Sequence, residues 1–215
     1  MDPEREEWKK KDGVWQKFAH KWRNAKNFDQ EDLSGLNIVL AMPELSRDNS
    51  LMVRSCYVEA EKLVWKKALS LPEAGVIVTG QPGIGMIISL FRYVFAETFV
   101  GKTLFLWYLL LRLLNMKQVV LLHVRCTDLL FYHDGVYHPS RDAIVSDLPS
   151  PGDGLFIWSL FDLDQNEAIP QFAVYPQCFP VQGPSPNLNL YTWWKKRGPY
   201  YTVFPLWTLE ELDHA

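Results

Sequence analysis

Three groups of residues have types and spacings suited to chemistry on a phosphorylated ligand. The first is Gly80-Gln-Pro-Gly-Ile-Gly85, a glycine-rich turn that follows the apolar, β-branched run Val76-Ile-Val-Thr79. The second is Gly101-Lys102-Thr103, sixteen residues beyond Gly85, which opens a long apolar segment reaching Leu114. The third is Asp162, which closes the apolar run Leu155–Phe161, with Asp164 as the alternate acid. A phosphate cradle needs consecutive backbone N–H groups curled around the anion, so residues without Cβ hindrance suit it. A lysine placed directly after the cradle reaches the β- and γ-phosphates. A threonine in the first turn of the following helix, where the dipole favours negative charge, supplies a hydroxyl to Mg²⁺. An acid at the end of a buried strand supplies the second protein ligand of that metal. Gly80, Gly83, Gly85, Lys102 and Thr103 are therefore the candidate cofactor-binding residues, Thr103 and Asp162 the candidate metal ligands, and Asp162 the candidate catalytic acid.

The spacing contains a fault. Joined directly, the two halves read GQPGIGKT and satisfy G-x-x-x-x-G-K-[ST] between a strand and a helix. As written, Ala96 stands where the first glycine is required, five residues before Gly101. Three readings of residues 86–101 compete. A looped-out insertion would separate amides that must be consecutive. A membrane span is disfavoured, because Arg92, Glu97, Lys102 and Arg112 break the apolar stretch from Met86 to Leu114. A span needs a run of about 18 apolar residues, and a mid-helix charge costs roughly 2.5–3.5 kcal/mol on insertion scales. The favoured reading is an unspliced intron translated in frame: removing residues 85–100 or 86–101 gives the same repaired motif. A mature transcript that keeps these codons would refute it.

The elements that must position these groups follow from periodicity. Val53, Tyr57, Ala60, Leu63, Val64 and Ala68 recur at steps of three and four, predicting a helix between Leu51 and Leu71 that Pro72 stops. The strand Gly75–Thr79 comes next, then the Thr103–Asn115 helix, apolar on nearly every side and so buried. Val119–Val124 reads as a strand. Leu129–Tyr132 and Val136–His138 read as a hairpin across His133-Asp134-Gly135, an Asp-Gly turn. A helix that ends just before a buried strand suits layered α/β architecture. Residues 139–154 read as a surface loop, and the proline-rich stretch 165–215 offers few periodic segments. Residues 1–50 form a polar N-terminal extension in which Trp15, Phe18 and Trp22 mark one aromatic face of a helix between Glu4 and Lys26, Gly13 notwithstanding.

The composition excludes little but bounds much. The chain has 215 residues, 48% hydrophobic and 22% charged, with a net charge of −3, enough for one domain with a sizeable core and giving no global attraction to nucleic acid or anionic membrane. Three widely spaced cysteines, Cys56, Cys126 and Cys178, suggest neither a disulfide framework nor a zinc site. His123, His133 and His138 lack the carboxylate and cysteine company of metal ligands and read as structural or surface residues. Tyr191-Thr-Trp-Trp-Lys-Lys-Arg197 combines stacking and cationic groups suited to a nucleic-acid strand. Core tryptophans beside solvated charges are the preferred account. The N-terminus lacks the features of a signal or transit peptide, so the expected location is intracellular, cytoplasmic or nuclear. The N-terminal helix offers a surface for a protein partner, with packing on its own domain the preferred reading. Thr208 with Glu211 forms a capping box, a helix begun three residues before the last, which reads as a truncated C-terminus.

The repaired string VIVTGQPGIGKTLFLWYLLLRLL, with LVWKKALSLPEAG before it and VVLLH after it, resembles a family of largely uncharacterised fungal P-loop proteins. It is similar, more distantly, to the NTPase portion of Crinkler-type effectors and of retrotransposon-hot-spot proteins. The resemblance covers roughly residues 51–212. It implies a P-loop NTPase-like α/β domain over 51–215, a parallel sheet flanked by helices and incomplete at the C-terminus. It carries over Gly80, Gly83, Gly85, Lys102 and Thr103 as phosphate-loop positions, with ATP or GTP and Mg²⁺ as cofactors. The expectation is a nucleotide-binding, NTPase-like protein whose site is impaired by the split loop. The alternative is a non-catalytic interaction protein or fragment that binds no nucleotide.

Overall fold

The computed structural model describes residues 8–11, 13–25, 37–39, 50–80, 101–124, 127–139, 148, 151, 156–163, 175–183 and 197–205. Its strands are β1 (Trp8–Lys10), β2 (Asn37–Val39), β3 (Ser50–Met52), β4 (Val76–Gly80), β5 (Val120–Val124), β6 (Thr127–Tyr132), β7 (Gly135–Pro139), β8 (Ile157–Asp162), β9 (Cys178–Gly183) and β10 (Tyr200–Phe204). Its helices are α1 (Val14–Arg23), α2 (Ser55–Ser70) and α3 (Gly101–Asn115). The interrupting segment 86–100, Asp164, the Tyr191–Lys196 aromatic-cationic stretch and the Thr208–Glu211 capping box lie outside the described residues.

The main sheet has eight strands in the order β1-β7-β6-β5-β8-β9-β4-β10. From β5 through β10 every neighbouring pair is parallel. The β5–β6–β7–β1 edge is antiparallel. Strands β2 and β3 form a separate antiparallel pair. The parallel strands are apolar on both faces: all residues of β9 and all but the last of β8 are buried. That is the signature of a sheet covered on both sides.

One core lies between the sheet and the three described helices. Val76 and Val78 of β4, Leu160 of β8 and Val181 of β9 meet Phe105, Leu109 and Leu113 of α3, with Tyr57 and Val64 of α2 beside them. A second cluster, on the other face, holds Leu121, Leu130, Ile157 and Cys178 with Trp8 and Leu148. Helix α3 is buried nearly all round, as its uninterrupted leucines require.

Two local readings change. Gly13 takes φ 83° and precedes the first turn of α1, so the helix begins after it, and Trp8 belongs to strand β1 instead. The aromatic face is core: the Trp15 ring stacks on Trp107 of α3 at 6.3 Å and meets Phe131 edge-on at 6.0 Å. The stretch from 165 onward, which offered few periodic segments, supplies β9 and β10, two strands of the parallel sheet. Pro180 sits mid-strand in β9, opposite Ser159. A proline removes one donor from the ladder and argues against a central strand, which is why the pattern hid it.

Candidate functional site

Parallel strands end on one edge, and Gly80, Thr103 and Asp162 lie there. Gly80 is the last residue of β4, Asp162 the last of β8 and Gly183 the last of β9. Strand β9 lies between the other two, so β4 and β8 are two strand spacings apart, about 10 Å across the sheet, and Gly80 stands two residues further along than the level of Asp162. Helix α3 begins at Gly101, and its first turn reaches Asp162.

The bridging contact is specific. The Thr103 hydroxyl donates a short hydrogen bond to Asp162 Oδ2, joining residues 59 apart in sequence. Gly183 explains how α3 comes so close: a Cβ on this residue would lie 2.9 Å from Leu106 Cδ1 and 3.7 Å from Asp162 Oδ1. Leu106 is one turn beyond Thr103, so the bare glycine backbone lets the helix seat on β9 with its threonine facing the acid. The same contact serves the helix, since a carboxylate near an N-terminus that has no acid of its own in the first turn is favourable.

Of the sequence-derived candidates, Thr103 and Asp162 are in direct contact. Gly80 ends a strand two places away in the sheet, and Lys102 is the second residue of α3. Gly83 and Gly85 lie outside the described residues. A hydroxyl and a carboxylate side by side form a hard-oxygen donor pair of the kind that suits Mg²⁺. Among the described residues, no group of three or more His, Cys, Asp or Glu side chains is arranged to hold a metal. His123 Nδ1 instead pairs with Asp128 at 2.8 Å, and His138 Nδ1 lies 2.9 Å from the Asp128 carbonyl oxygen.

Sequence reading missed several residues that shape this edge. Gly183 was hidden with the rest of β9. Gln182 is fully buried, in register with Phe161 and Ile77, on the opposite face of the strand from its neighbour Gly183. Glu61 fell inside an apolar helical stripe and gave no warning of its role. It is 1% exposed, accepts from Arg112 Nε at 2.9 Å and from the Tyr108 hydroxyl at 2.5 Å, and so ties α2 to α3. A buried carboxylate without such partners would be costly, so the Glu61–Arg112 pair is one feature.

No family model matches the chain, and no solved structure matches it. The chain is similar to two Crinkler effector proteins of Phytophthora infestans, numbered 15 and 16. Each is 32% identical over 178 residues that take in 78% of this chain, but 25% and 24% of the respective relatives. The chain thus spans about a quarter of the length of the curated relatives it matches. This similarity supports a Crinkler-like family. It carries neither a P-loop identity nor a fungal origin. Among the described residues no helix is long and apolar enough to cross a membrane.

Proposed function

We propose that this chain carries a nucleotide-phosphate site of the P-loop kind, divided by residues 86–101 and impaired for that reason. The observation that carries the reading is the Thr103–Asp162 hydrogen bond at the strand-end edge, two strands from the end of β4. A glycine-rich turn leaves one strand, a Lys-Thr pair opens the next described helix, and an acid ends a strand two places away in the sheet. Ligands of open α/β sheets bind outside the carboxyl ends of the strands, which is where Gly80, Thr103 and Asp162 lie.

In this reading Thr103 and Asp162 hold Mg²⁺, which neutralises charge on the β- and γ-phosphates of ATP or GTP. Lys102 adds a second positive charge at the phosphates. The amides of residues 81–85 form the cradle, and the N-terminal dipole of α3 favours the anion. Asp162 also takes up the Thr103 hydroxyl proton as a hydrogen bond, which fixes the threonine rotamer. The relatives are named effectors, and an effector role for this chain is part of the proposal. The second reading is a non-catalytic interaction protein, supported by the displacement of Lys102-Thr103 from Gly85 by sixteen residues.

Fluorescent ATP and GTP analogues, titrated with and without Mg²⁺ against this chain and against a form lacking residues 86–101, separate the two. Binding by the shortened form alone, abolished by Asp162→Asn, supports an ancestral site that the segment breaks. Binding by both forms supports a site that tolerates the segment. Binding by neither overturns the phosphate-loop assignment and leaves the interaction protein.

A further inference from the structure

A cleft of about 370 Å³ opens at the far end of α3. Lys117, in the turn closing the helix, lies fourteen residues from Thr103, about 21 Å along the helix axis. The cleft is therefore separate from the strand-end edge. One face of α1 lines it with Gln16, His20 and Arg23, and the β6–β7 turn contributes His133 and Asp134. Its volume falls in the range of small-molecule sites.

Four basic side chains line this cleft, against one acid. Arg23 donates through Nη1 to the His133 carbonyl oxygen at 3.1 Å and, among the described residues, forms no ion pair and no further side-chain hydrogen bond. Burial works against the guanidinium charge, and the field of Asp134 only partly offsets it. Asp134 itself is engaged elsewhere: its Oδ2 accepts from the Tyr137 hydroxyl at 2.6 Å, and its carbonyl accepts from Lys10 Nζ at 3.1 Å. Among the described residues His20 and Lys117 make no side-chain hydrogen bond or ion pair, and the His133 ring packs on Tyr132 with centroids 4.8 Å apart.

Basic residues often gather at helix C-termini to meet the negative end of the dipole. Here the carbonyls have other partners. Asn115 Nδ2 reaches the Trp22 and Ala25 oxygens at 3.2 and 2.9 Å, Asn24 Nδ2 reaches His20 O at 2.8 Å, and the Gln118 amide reaches Leu113 O at 2.9 Å. The Arg23 and Lys117 side chains line the cleft.

We infer that this cleft binds an oxyanion-bearing small molecule, a phosphate or a carboxylate, with the Arg23 fork as its anchor and Lys117 as the second charge. A guanidinium matches such anions bidentately, and partial burial strengthens the pairing relative to water. Lys117, His20 and His133 stand on three different elements around the anchor, so an anion would draw α1, the end of α3 and the hairpin together.

The test is calorimetric titration of the whole chain with inorganic pyrophosphate and, separately, citrate, with Arg23→Lys, Lys117→Gln and Thr103→Ala variants alongside. Saturable binding of at least one probe is expected, and the probe that binds names the oxyanion class. Arg23→Lys keeps the charge but loses the fork, and a loss of about tenfold or more in affinity is expected. Lys117→Gln removes no side-chain hydrogen bond or ion pair among the described residues, is expected to keep the fold, and is expected to weaken binding several-fold. Thr103→Ala reports binding at the strand-end edge rather than in the cleft. Three results overturn the assignment: no saturation by either probe up to about 10 mM, unchanged affinity in both cleft variants, or loss of binding in Thr103→Ala alone.

Discussion

Thr103 and Asp162 meet because a third residue has no side chain. Gly183 is in register with Asp162 on the adjacent strand, and its missing Cβ is the space Leu106 occupies. Replacing it with alanine puts a methyl 2.9 Å from Leu106 Cδ1, closer than packed carbons come. Either the leucine moves or α3 lifts from the strand end. Overpacking of this kind costs about 1–3 kcal/mol, and urea unfolding of Gly183→Ala checks it. A stability equal to that of the parent would mean that Leu106 has room to turn aside. Of these three residues, Thr103 and Asp162 stand out in the sequence, one by its lysine neighbour and the other by the apolar run it closes. Gly183 does not, because nothing in Cys178–Gly183 announces a central strand with Pro180 in its middle.

At the scale of elements, the orientation of α3 decides where its first turn points, and Glu61 secures that orientation from α2. The carboxylate holds both Arg112 and Tyr108, a turn apart on α3. Removing one partner of a buried ion pair costs about 3–5 kcal/mol, whereas replacing both by apolar residues is often close to neutral. Glu61→Leu and Arg112→Met singly are therefore expected to destabilise strongly. The double variant is expected to lose far less than their sum, read from a double-mutant cycle in urea. Additive losses would show that the two residues act independently. Periodicity placed α2 and α3 close to their observed limits, since Pro72 stops one and the leucines define the other. The ion pair joining them was not legible: Glu61 at a buried helical position has meaning only once the facing helix is in place.

For the molecule as a whole, burial leaves a pH signature. It pushes the Cys178 thiol up to about 12. Burial, followed by the hydrogen bond to Glu61, raises the Tyr108 hydroxyl far above its ordinary value. In the unfolded chain these groups titrate near about 8.5 and 10. Both folded values are raised, so the unfolded state sheds protons first as pH rises. Their contribution to stability is complete below about pH 8.5 and is lost as pH climbs through 9 and beyond. Thermal melts from pH 7 to 11 are expected to show a falling midpoint above pH 8.5, less steep in Cys178→Ala. A thiol reagent is expected to label Cys178 only after unfolding, and prompt labelling of the native protein would contradict its burial.

By itself the sequence determined the local pieces: the helix stopped by Pro72, the β4 strand, the leucine-rich α3, the Asp-Gly hairpin and the acid at the end of β8. These depend on neighbours a few positions away, through periodicity and turn chemistry. The sequence also marked Lys102-Thr103 and Asp162 as chemically apt. Only the tertiary structure decided that β9 lies between β4 and β8, that Thr103 reaches Asp162 over Gly183, and that the aromatic face of α1 closes on Trp107. It alone set Arg23, Lys117 and His133 around one cleft. Strand order and side-chain convergence are long-range outcomes of burying two apolar faces at once, and no short window of residues encodes them.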